Sequence, residues 1–189
     1  MRIITEKASI NPVLAAEAIR DINDRLRNVA WLDQVFGRAW RITREIRGRK
    51  YTEPCLYVGG GSGNEYETLV PSSDLGCYSF WLQNDPDTMG ADAGYMLVDY
   101  SLVVWCDLLR CFDDTSRRDT ENLKKDILAV LVEGGRADGV VTVKRVYEDA
   151  KNVFKGFTLD ETANQYLMHP YWGMKVDVEL RIDTPCWDN

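Results

Sequence analysis

The chain holds a single histidine and no CxxC pair, and these two shortages remove most zinc chemistry at once. His169 alone cannot build an HExxH helix or any other site that needs two imidazoles. Cys55, Cys77, Cys106, Cys111 and Cys186 are odd in number and show no CxxC spacing, so neither a disulfide framework nor a zinc ribbon is expected. They read as reduced thiols, and no metal and no cofactor is expected. No apolar run reaches the ~20 residues that cross a bilayer. The opening "MRIITEKASINP" lacks the apolar stretch and small-residue cleavage site of a secretory signal, so a soluble, non-exported chain is expected.

Catalytic signatures are equally scarce. The stretch "YVGGGSGNEYETLVP" is rich in glycine, yet Gly63 is followed by Asn64 and Glu65, where a phosphate loop needs lysine and a hydroxyl. Nearby acids would repel phosphate, and Pro71 prevents a long helix from opening there as a dinucleotide site requires. The stretch therefore reads as a slack connection between strands. A GxSxG elbow is absent. Asp99 and Asp107 share a strand face but stand roughly 26 Å apart, and Asp177 and Glu179, roughly 6.6 Å apart, alternate with Lys175 and Arg181 as a solvated face does. Asp113 and Asp114 precede a helix, where acids complement its dipole. His169, in "LMHPYW", reads as a turn residue rather than the partner of a catalytic thiol.

What the chain does hold is a strong pattern. At 189 residues and 45% apolar composition it supports one buried core, and residues 1–189 are read as a single domain. Asn11-Pro12 predicts a helix start, with Leu14, Ala18, Ile22, Leu26 and Val29 as its apolar stripe and Gly37 as its end. From Trp40 the period shifts to two: Trp40, Ile42 and Ile46 form the expected core face, and a turn at Gly48 leads back through "YTEPCLYV". Strands are predicted at "CYSFWLQ", "YMLVDYSLVVWCDLL", "GVVTVKRVY" and "WGMKVDVELRID". A second helix is expected behind Ser116 and Asp119, with Leu123, Ile127, Val130 and Leu131 buried and Gly134-Gly135 as its stop, and a short helical stretch behind Thr158 and Glu161. In the last strand Met174, Val176, Val178, Leu180 and Ile182 are expected to face inward.

The expected fold is α+β: a mainly antiparallel sheet, an N-terminal and a central helix on one face, and extended arms. The arms are a hairpin at 38–58, a glycine-rich loop at 59–71 and a turn insertion at 84–94. The long segment from Tyr95 would span roughly 46 Å if fully extended, more than a domain of this size is wide. It is therefore expected to bend, or to run past its own core and meet another chain.

Charge is unevenly placed. Between Arg38 and Lys50 six cations stand against Glu45 alone, a local +5; removed from the net −7, that leaves −12 on the remainder. Such an arm suits a solvated face, an acidic protein neighbour or nucleic acid, although the net charge disfavours broad nucleic-acid binding.

The order of elements and the closing segment "FTLDETANQYLMHPYWGMKVDVELRI" resemble the tail terminator proteins of long-tailed bacteriophages. The resemblance implies a small α+β protomer assembled as a ring, expected to be a hexamer, that ends the tail tube and joins it to the head-completion protein. It implies a virion protein, present in the host cytoplasm during assembly, with no catalytic residue, metal or cofactor. Its partners would be copies of itself, the tail tube protein and the head-completion protein, with DNA passing through the lumen unbound and no membrane involved. Arg41, Arg44, Arg47, Arg49, Leu97, Val103 and Trp105 are the expected subunit-interface residues. The alternatives are another neck or tail-tube structural protein, or a soluble enzyme or ligand-binding domain whose pocket is lined by Trp81, Tyr95 and Trp105.

Overall fold

The structure, a computed structural model, describes residues 1–7, 14–60, 65–84, 88–89, 94–112, 119–138, 141–158 and 163–183. Helix α1 (Ala15–Leu26) buries Ile19, Ile22, Asn23 and Leu26, a stripe at three- and four-residue spacing. Leu14, expected within that stripe, is exposed and stands at φ 55 just before the helix. The expected start at Asn11-Pro12 lies outside the described residues. The helix ends at Leu26, well short of Gly37, because residues 34–38 are drawn into a strand.

That strand, β1 (Gln34–Arg38), pairs in parallel with β5 (Tyr78–Gln83). Its sequence, with Gly37 inside it, carries little strand signal, and tertiary bonds hold it. Asn23 Nδ2 donates to the Phe36 carbonyl at 3.0 Å, and the Gly37 amide donates to Glu6 Oε2 at 2.7 Å. A Cβ at residue 37 would sit 2.6 Å from that Glu6 side chain, so only glycine lets the carboxylate approach.

The main sheet is six-stranded. Its order is β1, β5, β7 (Tyr95–Asp107), β9 (Tyr171–Asp183), β8 (Val141–Tyr147), with the short β6 (Thr88–Met89) also on β7. A second sheet holds β2 (Trp40–Ile46), β3 (Arg49–Tyr57) and β4 (Tyr66–Thr68), all antiparallel. The architecture is α+β, as the order of elements predicts. Helix α3 (Thr120–Asp138) buries Leu123, Ile127 and Leu131 and runs on through Gly134 and Gly135, which do not stop it. Ser116, Asp113, Asp114 and Glu161 lie outside the described residues. Two short helices, α2 (Leu108–Cys111) and α4 (Ala150–Val153), follow capping aspartates: Asp107 accepts from the Leu109 amide and Asp149 from that of Asn152.

β7 explains the layering. It pairs with β9 along all thirteen residues and is buried from Ser101 to Asp107. Its even-numbered face, with Val98, Leu102 and Val104, packs with α1 and α3 into one apolar cluster. Its odd-numbered face, with Val103 and Trp105, packs with Leu56, Leu69 and Phe80 into a second. The expectation that this strand runs past its own core to meet another chain is therefore wrong. A run apolar on both faces marks a central strand covered on both sides, and only Tyr95–Leu97 and Asp99 remain half-buried. Each fully buried leucine or isoleucine here contributes about 1.5–3 kcal/mol.

The polar remainder of that odd-numbered face lies beyond the second cluster. Lys144 Nζ bridges Asp99 at 2.7 Å and Glu179 at 2.8 Å, while Asp177 accepts from Ser101 at 2.5 Å and faces buried Lys175 at 3.4 Å. Asp177 and Glu179 are thus tied into cross-strand pairs rather than left as a free solvated row.

Candidate assembly interface and a cluster of thiols

The outer half of the hairpin β2–β3 is not covered by the protein's own core. Its register is continuous from Trp40 opposite Cys55 to Ile46 opposite Arg49. Arg47 at φ 52 and Gly48 at φ 74 make the two-residue turn between them, the pair of positive dihedrals that matches the right-handed twist of the strands. Glycine takes that conformation freely, whereas arginine is strained there.

The base of the hairpin is fastened down. Cys55 and Leu56 are buried, the Ala39 amide donates to the Trp81 carbonyl at 2.8 Å, and the Thr158 amide donates to that of Thr52 at 2.8 Å. Arg41 Nη1 donates to the Gln83 carbonyl at 2.9 Å, with its guanidinium 5.8 Å from the Phe157 ring, and desolvation by burial lowers its pKa. Arg44 Nη2 donates to the Tyr66 carbonyl at 3.2 Å. Beyond the Thr43–Thr52 hydroxyl contact, every residue from Arg44 to Lys50 is exposed.

The expected core face of β2 is largely uncovered, with Ile42 alone of its three apolar residues half-buried. Trp40 is 41% exposed beneath the Arg38 guanidinium, and Ile46 is 53% exposed. Ile46, Arg47, Arg49 and Tyr51 line a shallow open hollow at the tip. Arg47, Arg49 and Lys50 make no ion pair among the described residues. The tip is a cationic, partly apolar surface.

The seven expected interface residues therefore separate. Arg47 and Arg49 sit at the free tip, Arg41 and Arg44 are spent on bonds within the protomer, and Leu97 is half-buried opposite Thr88 and Arg181. Val103 and Trp105 are each 1% exposed and belong to the second core cluster, so they offer no surface to a neighbour. Trp105 stacks on Tyr171 at 5.1 Å and donates to the Tyr166 carbonyl at 2.7 Å. The proposed aromatic pocket fails on the same grounds. Trp81 and Trp105 are buried in different clusters on opposite faces of the sheet, and Tyr95 lies under Arg181 at 4.4 Å. The glycine-rich stretch leads from β3 to β4, with Tyr57 opposite Tyr66, which fits the reading of a strand connection; Gly61 and Gly63 lie outside the described residues.

No family model matches the chain, and no curated protein matches it.

A second feature escaped the sequence reading. Cys77, just before β5, Cys106, in β7, and Cys111, the last residue of α2, bring their sulfurs together at 2.7 Å (77–106), 2.9 Å (106–111) and 3.5 Å (77–111). The first two side chains are buried and the third is half-buried. Around them Asp33 is a clamp. Its carboxylate accepts from the Cys77 amide at 2.8 Å and from Arg110 Nε at 3.0 Å, while the Asp33 and Gln34 amides donate to the Cys77 carbonyl. The Asp107 carbonyl faces the sulfurs of Cys77 at 3.6 Å and Cys111 at 3.9 Å. Donation from Cys106, then from Cys77, lowers the Cys111 thiol to about 4, against burial and with help from Arg110. Cys106 is pushed up by Cys111, then by Cys77 and burial. The sequence sets Cys106 and Cys111 close together, but bringing Cys77 to them requires the register of β5 on β7.

Proposed function

We propose that this chain is a ring-forming structural protein of a phage neck: it ends the tail tube and joins it to the head-completion protein, with copies of itself as first partners. The observation that carries the reading is the β2–β3 hairpin, whose base is bonded to the protomer while its tip presents cations and exposed Ile46 to solvent. A two-stranded ribbon without a covered face is marginal in water, and a neighbour that covers it supplies what the protomer does not.

Charge favours a second copy as that neighbour. The arm's local +5 stands against −12 on the rest of the chain, so each arm meets opposite charge on the body of the next protomer. A head-to-tail contact of this kind uses two different surfaces and closes into a ring when the rotation allows. The sheet edges point the same way. β1 and β8 each carry a register irregularity, a common way to blunt an edge, whereas β2 presents an even edge. An acidic lumen would let DNA pass without adhering.

Sedimentation and negative-stain electron microscopy of the purified chain test the proposal. Annular particles are expected. A monomer that stays unchanged as concentration rises contradicts it.

A further inference from the structure

We propose that Cys77, Cys106 and Cys111 form a binding site for a soft, thiophilic metal ion, zinc or cuprous copper. The proposal is independent of the neck reading. Three sulfurs from three separate segments of the chain converge on one point, which a pairwise disulfide does not require and a metal does. Thiolate sets of this kind select zinc, copper(I) and iron–sulfur centres over hard cations.

The geometry needs only a modest change. Zinc–sulfur bonds of ~2.3 Å place the sulfurs around one ion about 3.8–4 Å apart. The observed 2.7, 2.9 and 3.5 Å are shorter, so the sulfurs must spread on binding. Cys111 has the freedom to do so, since it ends a four-residue helix and is half-buried, whereas Cys106 is fixed within paired β7 and Cys77, just before β5, is held by Asp33. Its exposed side is also the route by which an ion enters.

The surroundings are built to hold these sulfurs. Asp33 grips the Cys77 backbone from both its amide and its carboxylate, and the Asp107 side chain caps α2 so that Cys111 folds back over Cys106. Second contacts of this sort fix ligands around a metal. The Asp107 carbonyl stands beside two of the sulfurs, and Arg110, paired with Asp33 at 3.0 Å, supplies positive charge next to a set of thiolates. Coordination displaces the protons still carried by the thiols, which pass to solvent, and no electron is transferred.

The test uses the full chain, purified under reductant and freed of metal. It is titrated separately with Zn²⁺ and with Cu⁺ against a chromophoric chelator, with melting temperature followed in parallel. One ion per chain is expected in at least one arm, with a rise in melting temperature, and the tighter arm identifies the ion. Cys111→Ser should weaken binding at least about 100-fold, since loss even of an outer-shell partner costs 10–100-fold. Cys55→Ala, a substitution away from the cluster, should leave affinity unchanged. Because Cys111→Ser alters a core margin, Cys111→Ala is measured beside it, and circular dichroism must show both folded. Binding in neither arm overturns the proposal, as does binding unaffected by both Cys111 variants. A Cys77–Cys106 disulfide whose reduced form takes up no ion overturns it too.

Discussion

Arg41 reaches from the hairpin to the main sheet and donates through Nη1 to the Gln83 carbonyl at 2.9 Å. The bond divides the basic arm into an anchored base and a free tip. A net count of arginines hides that division, since Arg41 works inside the protomer while Arg47 and Arg49 lie beyond its reach.

Arg41→Glu should therefore damage the fold itself. Loss of a charge-assisted bond at a partly exposed site predicts a cost of about 1 kcal/mol or somewhat more. Arg49→Glu with Lys50→Glu should stay within about 0.5 kcal/mol, as surface changes do. Urea denaturation of the two variants checks the contrast.

Arg47 occupies a conformation that asparagine and glycine hold more easily. Arg47→Asn is expected to stabilise the protomer by a few tenths to about 1 kcal/mol. The same substitution should weaken self-association, because it removes a cation from the tip. Thermal melts and sedimentation of one sample measure both effects, and a variant that loses in both would show Arg47 to be structural.

Asn23 is the polar rivet between α1, β1 and β5. Its Nδ2 donates to the Phe36 carbonyl, and its Oδ1 accepts from Trp81 Nε1 at 2.8 Å, all in the buried core. Asn23→Ala should cost about 2–4 kcal/mol, since it orphans a buried donor and a buried acceptor. Adding Trp81→Phe, which removes the orphaned donor, should cost less than the two single changes summed. A double-mutant cycle in urea reads this directly.

Glu6 gives a pH signature. Burial raises its pKa above the ordinary carboxylate value, outweighing the Gly37 amide and the Arg27 charge that lower it. The folded protein therefore takes up this proton at a higher pH than the unfolded chain. Stability from this group is greatest in acid, declines as pH rises from the unfolded value of about 4.5 through the raised folded value, and then levels off. Glu6→Gln should remove that decline, and melting temperatures of both proteins across this window measure it.

The strands show where the sequence is legible. The clean alternation of Met174, Val176, Val178 and Leu180 places β9 correctly, although Gly173 and Lys175 on its other face are buried as well. β7 was misjudged since its length was read without its neighbours: a strand apolar on both sides looks unsheltered until the second cluster is in place. β2 failed in the opposite sense, with an alternating pattern and no core beneath it. The cationic tip could be read from composition alone. The thiol cluster could not, as Cys77 and Cys106 are 29 residues apart and meet only through strand pairing.

The central claim is that the arm tip joins one copy of this chain to the next, and sedimentation velocity across a concentration series tests it most directly. The wild-type chain should form a closed multimer, while a folded variant carrying Arg47→Glu, Arg49→Glu and Lys50→Glu should remain a monomer. Identical sedimentation of the two proteins, whether both monomeric or both assembled, would contradict the account.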